Sequence, residues 1–245
     1  MNDYIRATHS ETLKLKGSQA LILMVFAPIT VVVMFFCVGL RNSIGGVSWL
    51  LSSSVTFWLA LFLPLSIALE TALLAEVETR GRQWKHLFAQ PISRHALYTA
   101  KFVVGALLLG LSHLILGLGS WLSSRILSWI RPGMGFDAAF PWGHWLAFSG
   151  IVVLTSAWLL ALHTWVVLRF RSFAVSVGAG VMGMLIAATV MFQDIWPYFP
   201  WRLPLHLIEG FQTVTYEPAW IWTGALGGVV CALLGSWEVT RRDVF

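Results

Sequence analysis

Long apolar runs alternate with short polar ones along all 245 residues. Marking every Asp, Glu, Lys and Arg leaves six charge-free windows of at least 20 residues: 17–40, 42–69, 102–124, 138–168, 172–193 and 218–237. A helix rises about 1.5 Å per residue, so about 20 residues cross a hydrocarbon core of about 30 Å. Trimming the polar ends predicts six transmembrane helices near 20–40, 54–75, 97–120, 145–167, 173–193 and 219–237. Runs such as VVVMFF at 31–36 do not alternate, which argues against a β-barrel of ~10-residue strands. The pattern reads as an all-α membrane protein with a single transmembrane domain over 1–245. Outside the spans lie an N-terminal segment (1–19), the segments 76–96 and 121–144, and an outer loop at 194–218. That outer loop contains WPYFPWRLP (196–204), whose three prolines stiffen it, and it is expected to lie at the membrane interface. No sequence repeat or low-complexity linker interrupts the chain.

Composition agrees with the pattern. Hydrophobic residues make up 58% of the chain and charged residues 11%, with a mean hydropathy of +0.77. Soluble domains run near 45–50% apolar and about 25% charged, so a soluble enzyme or free DNA-binding domain is excluded. The pI of 9.6 and net charge of +5 then reflect basic loops on one side of a membrane, with no nucleic-acid partner. With the N-terminus cytoplasmic, twelve basic residues fall inside: Arg6, Lys14, Lys16, Arg80, Arg82, Lys85, Arg94, Lys101, Arg169, Arg171, Arg241 and Arg242. Four fall outside: Arg41, Arg125, Arg131 and Arg202. This bias places both termini in the cytoplasm. The first span lacks a small-x-small site before Arg41 and reads as a retained helix rather than a cleaved signal. Nine of the 14 tryptophans (Trp49, Trp121, Trp129, Trp142, Trp145, Trp196, Trp201, Trp220, Trp222) fall near the outer ends, as an aromatic belt would. Cys37 and Cys231 form no CxxC and no disulfide framework.

Small residues mark packing faces. Gly224, Gly228, Ala232 and Ser236 recur at every fourth position of span six, and Ala179, Gly183 and Ala187 share that spacing in span five. Such stripes let two helix backbones approach closely in lipid. Pro64 is expected to kink span two. Glu70, His113 and His163 are the ionisable residues inside spans, each a candidate functional group or an interhelical hydrogen-bond partner, with snorkelling open to Glu70. His113, His163 and Cys231 carry no metal-binding spacing, and no metal site is expected.

The chemistry missing from the chain is equally informative. No G-x-x-x-x-G-K-[ST] loop surrounds any lysine, so ATP hydrolysis has no P-loop here. No HExxH exists, and no aspartate lies mid-span. Gly110-Leu111-Ser112-His113 resembles the G-x-S of an intramembrane serine protease, but the last span holds no histidine to act as base.

The segment 76–101 carries the main clue. Val77, Gly81, Trp84 and Phe88 follow i, i+4, i+7, i+11, with Leu87 beside them and Arg82, Lys85 and His86 elsewhere on the wheel. That spacing predicts a short amphipathic helix over 77–90. Pro91 disfavours helix at Gln90. Ser93 is placed to cap the next helix, with Lys101 snorkelling from its early turns.

The cassette Glu78-x5-Trp84-Lys85-x-Leu87-x3-Pro91-Ile92-Ser93-Arg94-x6-Lys101 resembles the first cytoplasmic loop of ABC-2 type transporter permeases. Its wording is closest to small permeases of antibiotic-peptide export and self-immunity systems, and the ending Thr240-Arg241-Arg242-Asp243-Val244-Phe245 is similar to their R-R-D-[VI] tail. Gly81 sits one residue further from Pro91 than in the usual cassette. The resemblance implies a type V exporter-like permease fold in which 77–90 is a coupling helix between spans two and three. Glu78, Arg82, Trp84, Lys85, Leu87, Phe88, Pro91 and Arg94 would contact a separate ABC ATPase, present in two copies, which binds ATP and Mg. Arg169 and Arg171 would offer a second contact. The tail 2–17, with Tyr4, Ile5, Leu13 and Leu15, would form an interface helix. A second permease subunit, the same chain or a close paralogue, would complete the path. The implied setting is the bacterial cytoplasmic membrane, and the implied cargo is amphipathic or lipid-like and moves outward. The chain itself would be no enzyme and hold no cofactor. The alternatives are a non-transporting scaffold or assembly subunit and, further off, an intramembrane protease.

Overall fold

The computed structural model describes residues 3–41, 45–79, 93–190 and 197–241. The described residues form helices joined by turns, and no strand occurs among them. Helix α1 (Asp3–Lys14) begins on an acid and ends on a base, which suits the helix dipole. Gly17, at φ 77, turns the chain, and the Ser18 hydroxyl accepts from the Leu21 amide to start α2 (Gln19–Arg41). After Gly46, at φ 103, come α3 (Val47–Phe57), a π-helical turn (Trp58–Phe62) and α4 (Leu63–Thr79) in unbroken succession. Helix α5 (Arg94–Ile130) follows, with the Ser93 hydroxyl accepting from the Ala96 amide as N-cap.

Helices α6 (Trp142–Thr155) and α7 (Ala157–Phe170) meet at Ser156 with a 42° bend. Arg171, in the left-handed region at φ 49, ends α7, and α8 (Phe173–Val190) starts two residues later. The 3-10 turn Leu203–His206, α9 (Leu207–Thr213) and α10 (Pro218–Arg241) complete the fold. Among the described residues four helical stretches are long and apolar enough to cross a membrane: Gln19–Arg41, Val47–Glu76, His95–Ile130 and Pro218–Val239. The bent α6–α7 pair makes a fifth if counted as one span, and α8 is a shorter apolar helix.

Helix α5 is the axis of the bundle and packs against α1, α2, α4, α6, α7 and α10. The core is aromatic and aliphatic, built around Met24, Trp58, Leu109, Leu116, Trp145 and Phe148. Helix α10 lies along α7 at backbone contact. A Cβ on Gly224 would stand 2.2 Å from the Thr155 carbonyl oxygen, and one on Gly228 would stand 2.8 Å from the Ala157 carbonyl carbon.

Several sequence expectations change in the fold. The third span continues to Ile130, 37 residues or ~55 Å, so residues 121–130 are helix rather than loop. The Arg131 guanidinium at its end donates to the Leu40 carbonyl (2.6 Å) and joins the far ends of α2 and α5. Pro64 works through the π turn before it. Proline has no N–H and crowds the carbonyl four residues back, and the Leu63 amide instead reaches the Trp58 carbonyl. The fourth span is broken at Thr155–Ser156, where α10 presses on the Thr155 backbone. The buried face of α8 is Ser176, Gly180, Gly183 and Ala187, and Ala179 lies beside it.

The tryptophan belt and the outer loop also need correcting. Trp145 and Trp201 are core residues, because each fills the space over a glycine, Gly117 for Trp145 and Gly183 for Trp201. Trp201, Leu203, Leu207 and Phe211 are buried, so the middle of the segment packs into the bundle beside α8 and the π turn, while Tyr198 and Val214 stay on its surface. Trp129 stays outside, 85% exposed.

Candidate functional site

The N-terminal end of α5 gathers α1 and the closing turns of α4, α7 and α10. Eight basic residues of the described chain belong to this end: Arg6, Lys14, Lys16, Arg94, Lys101, Arg169, Arg171 and Arg241. Of the cassette, Glu78 belongs to α4 and Arg94 opens α5, but neither side chain is among those described. Arg82, Trp84, Lys85, Leu87, Phe88 and Pro91 lie outside the described residues. The fold therefore supplies the two helices that leave and re-enter that segment, and what braces them.

The first brace is a buried ion pair. Alanines at 7, 96 and 100, together with Leu97, seat α1 against the first turns of α5. Glu11, one turn along from Ala7, is 1% exposed. Its carboxylate accepts from the Lys101 ammonium at 3.1 Å and from the Lys14 ammonium at 2.5 Å. Lys101, 4% exposed, also donates to the Leu74 carbonyl of α4 at 3.3 Å. Lys101 thus does not snorkel, because its ammonium is held inside the protein by the Glu11 carboxylate and the Leu74 carbonyl. Losing one partner of such a buried pair costs about 3–5 kcal/mol, since the other charge is left without water or counter-ion.

Burial alone would push the Glu11 carboxyl up, but Lys101 and Lys14 outweigh it and hold the group below its ordinary 4.5. A carboxyl depressed on folding adds stability that is complete above the ordinary value and is lost as pH falls through the folded one. We therefore expect α1 to undock as pH falls below the ordinary carboxyl value of 4.5. Hydrogen exchange of the α1 amides, corrected for intrinsic rates, should rise below that value in the wild-type chain. In Glu11→Gln it should be fast throughout. A flat wild-type profile would contradict the assignment.

The second brace joins α7 to α10. The Trp165 indole donates to Glu238 at 2.6 Å, and the Arg169 guanidinium pairs with the same carboxylate. Arg169 is thus engaged within the chain, while Arg171 caps α7 in its left-handed turn. The Tyr98 hydroxyl donates to the Ala161 carbonyl at 2.8 Å, and the Tyr98 ring covers Gly235, so α5, α7 and α10 interlock. Arg241 stacks over Trp237 at 4.2 Å. Along α10, Gly224 and Gly228 meet the α6–α7 break, Ala232 packs beside Tyr98 and Val167, and Ser236 is buried.

The three ionisable residues within the spans differ in their surroundings. His113 is tied down: the Trp58 indole donates to its Nε2 at 3.1 Å, and its Nδ1 meets the Leu109 carbonyl at 2.9 Å. His163 is buried beside Gly180 and edge-on to Trp201 at 5.4 Å, and neither ring nitrogen has a hydrogen-bond partner among the described residues. Glu70 is fully buried beside Gly105 of α5 and likewise has no partner for either oxygen among them. Snorkelling is therefore not its solution. The Ser112 hydroxyl is engaged with backbone, donating to the Met24 (2.7 Å) and Leu108 (3.1 Å) carbonyls. Among the described residues no three His, Cys, Asp or Glu side chains converge to hold a metal ion.

Sequence reasoning missed Glu11 and the depth of the 197–217 segment. Glu11 and Lys14 stand three apart, a spacing that normally marks a solvent-exposed helix pair. The alanine at position 7 was the available signal that this face is buried.

Compared with known families, residues 8–187 match the sequence pattern described as ABC-2 family transporter protein. No curated protein matches the chain in sequence.

Proposed function

The chain belongs to the ABC-2 family of transporter proteins, and from that premise we propose that it is the permease subunit of an ATP-driven exporter. In this reading six spans cross a bacterial cytoplasmic membrane: α2, the α3–α4 rod, α5, the bent α6–α7 pair, α8 and α10. The basic end faces the cytoplasm, consistent with the excess of Lys and Arg there. A coupling helix in the segment between α4 and α5 seats on a separate ATPase, with Trp84, Leu87 and Phe88 as its apolar contacts and Arg82 and Lys85 beside them. Two permease subunits, each with one ATPase, form the working unit.

The observation that carries this reading is the architecture around that segment. Its two flanking helices are cross-braced to each other through Lys101 and the Leu74 carbonyl, while α7 and α10 are braced next to them. A push delivered between α4 and α5 would therefore move a stiff frame instead of being absorbed in a loose loop. The apolar walls of the bundle suit an amphipathic or lipid-like cargo, such as an antibiotic peptide.

The test is co-purification with the ATPase chain and measurement of ATP turnover. A buried apolar anchor at a protein interface is worth about 2 kcal/mol or more, so Leu87→Asp should weaken the complex by about 30-fold or more. Trp84→Ala should act in the same direction and lower turnover. Unchanged complex formation and turnover in both variants would sink the coupling-helix assignment and favour a non-transporting assembly subunit.

A further inference from the structure

We propose that Glu11 and Lys101 form a strut that passes displacement of the α4–α5 segment to the N-terminal helix and through it to α2, making Glu11 a positioning residue for transport. The proposal rests on the permease reading, since it needs a displacement to transmit. Three elements meet at one ammonium: Lys101 belongs to α5, its Nζ reaches the α4 backbone at Leu74, and it holds the α1 carboxylate at 3.1 Å. Both partners are nearly removed from water, so the pair is little screened and does not slide as a surface pair would.

The apolar contact beside it is too small to hold α1 in one register unaided. It consists of alanine methyls at 7, 96 and 100 with Leu97, and methyl-sized groups contribute only about 0.8 kcal/mol each. Orientation therefore depends on the charged contact. Glu11 lies at the last turn of α1, the turn nearest α2.

The link onward from α1 is stiff. Leu15, Lys16 and Ser18 donate their amides back to the Thr12, Leu13 and Leu15 carbonyls, so the chain between α1 and α2 is hydrogen-bonded turn rather than free coil. Ser18 then caps α2 directly. On the other side α5 is a single 37-residue helix, so Lys101 moves with the whole rod. Helix α5 also bonds α2 directly, through Ser112 and the Met24 carbonyl, and the strut is the polar, water-excluded route that enters α2 from its N-terminal end. On the outward side of α1, Ile5 and Leu13 are exposed, which suits a helix lying at the membrane surface.

The experiment uses the permease–ATPase complex with an environment-sensitive thiol fluorophore on Cys37, an exposed native cysteine on α2, while Cys231 is buried. Complex formation is scored first, then the change in emission on trapping with ATP and vanadate. The wild-type complex should show a trapping-dependent change. Glu11→Gln and Lys101→Met should keep the complex and lower that change by about five-fold or more, a typical lower bound for coupling between sites. Lys101→Arg, which keeps the charge, should restore most of it, an outcome that a merely structural role would not require. If wild-type chain and ATPase form no complex, the permease reading falls, and the strut with it. If the complex forms and the Cys37 response survives in Glu11→Gln and Lys101→Met, or is absent from the wild type, the strut alone is overturned.

Discussion

Gly224→Leu is expected to abolish the folded bundle, and Gly224→Ala to lower its thermal midpoint clearly. The reason is what a side chain there would meet. A Cβ on Gly224 would lie 2.2 Å from the Thr155 carbonyl oxygen, 2.5 Å from its Cα and 2.7 Å from its carbonyl carbon. All three are backbone atoms, so no rotamer change relieves the overlap, and α10 must move bodily away from the α6–α7 break. Overpacking of a tight contact costs about 1–3 kcal/mol even where side chains can yield, and here they cannot. A leucine would add three more carbons to the same gap. Gly150 supplies the matched control: it is also helical, and a Cβ there has nothing within 4 Å. Gly150→Ala should be neutral or stabilise by up to about 1 kcal/mol through helix propensity. Thermal melts of the detergent-solubilised chain separate the two. Equal midpoints for Gly224→Ala and Gly150→Ala would show that the α7–α10 seam is not close-packed.

The seam also shows what a sequence can and cannot disclose. Gly224 and Gly228 were recognisable by their four-residue spacing, because in lipid small residues have one physical use that large ones cannot serve. Their partner was not recognisable, since the small residues of span four, among them Ala147, Ser149, Gly150 and Ala161, form no matching four-residue stripe. The presence of long apolar helices followed from charge spacing, a one-dimensional property that the bilayer imposes directly, although among the described residues only four stretches, or five with the bent pair, are long enough to span. Helix ends did not, because α5 continues past its charge-free window and uses Arg125 and Arg131 to hold neighbouring backbone at Phe136, Ala138 and Leu40. Arginine read as a loop marker served as a helix-end clamp.

The polar groups divide in a similar way. A lysine early in a membrane helix reads as snorkelling because a single sequence gives no sign of a carboxylate 90 positions earlier. Trp201 reads as belt because an interfacial tryptophan and a core tryptophan look alike in sequence. Only the empty space over Gly183 tells them apart. Contacts set by distant parts of the chain were the ones hidden from the sequence.

Glu70→Met should raise the stability of the bundle and lower transport, the two effects going in opposite directions. Both Glu70 oxygens are buried without a hydrogen-bond partner among the described residues, in surroundings supplied by Gly105 and Leu160. A buried polar group left unsatisfied costs about 1–3 kcal/mol, and a same-length apolar side chain removes that cost without opening a cavity. The midpoint should therefore rise, by several degrees for a chain of this size. A residue that the fold would be steadier without is held there by something other than the fold, and an ionisable group inside a span is a functional site by default. Glu70 lies on α4 one turn before Leu74, whose carbonyl takes the Lys101 brace, and its carboxyl stands against Gly105 of α5, inside the frame that an ATPase-driven push would move. Cargo efflux from vesicles loaded with the permease–ATPase complex should fall at least tenfold in Glu70→Met while the complex itself remains intact. Glu70→Gln, which keeps a polar head of the same shape, distinguishes charge from polarity: efflux lost in both variants assigns the role to an ionisable carboxyl, and efflux kept in Glu70→Gln assigns it to hydrogen bonding. Full efflux in the stabilised Glu70→Met chain would show that the carboxyl serves neither.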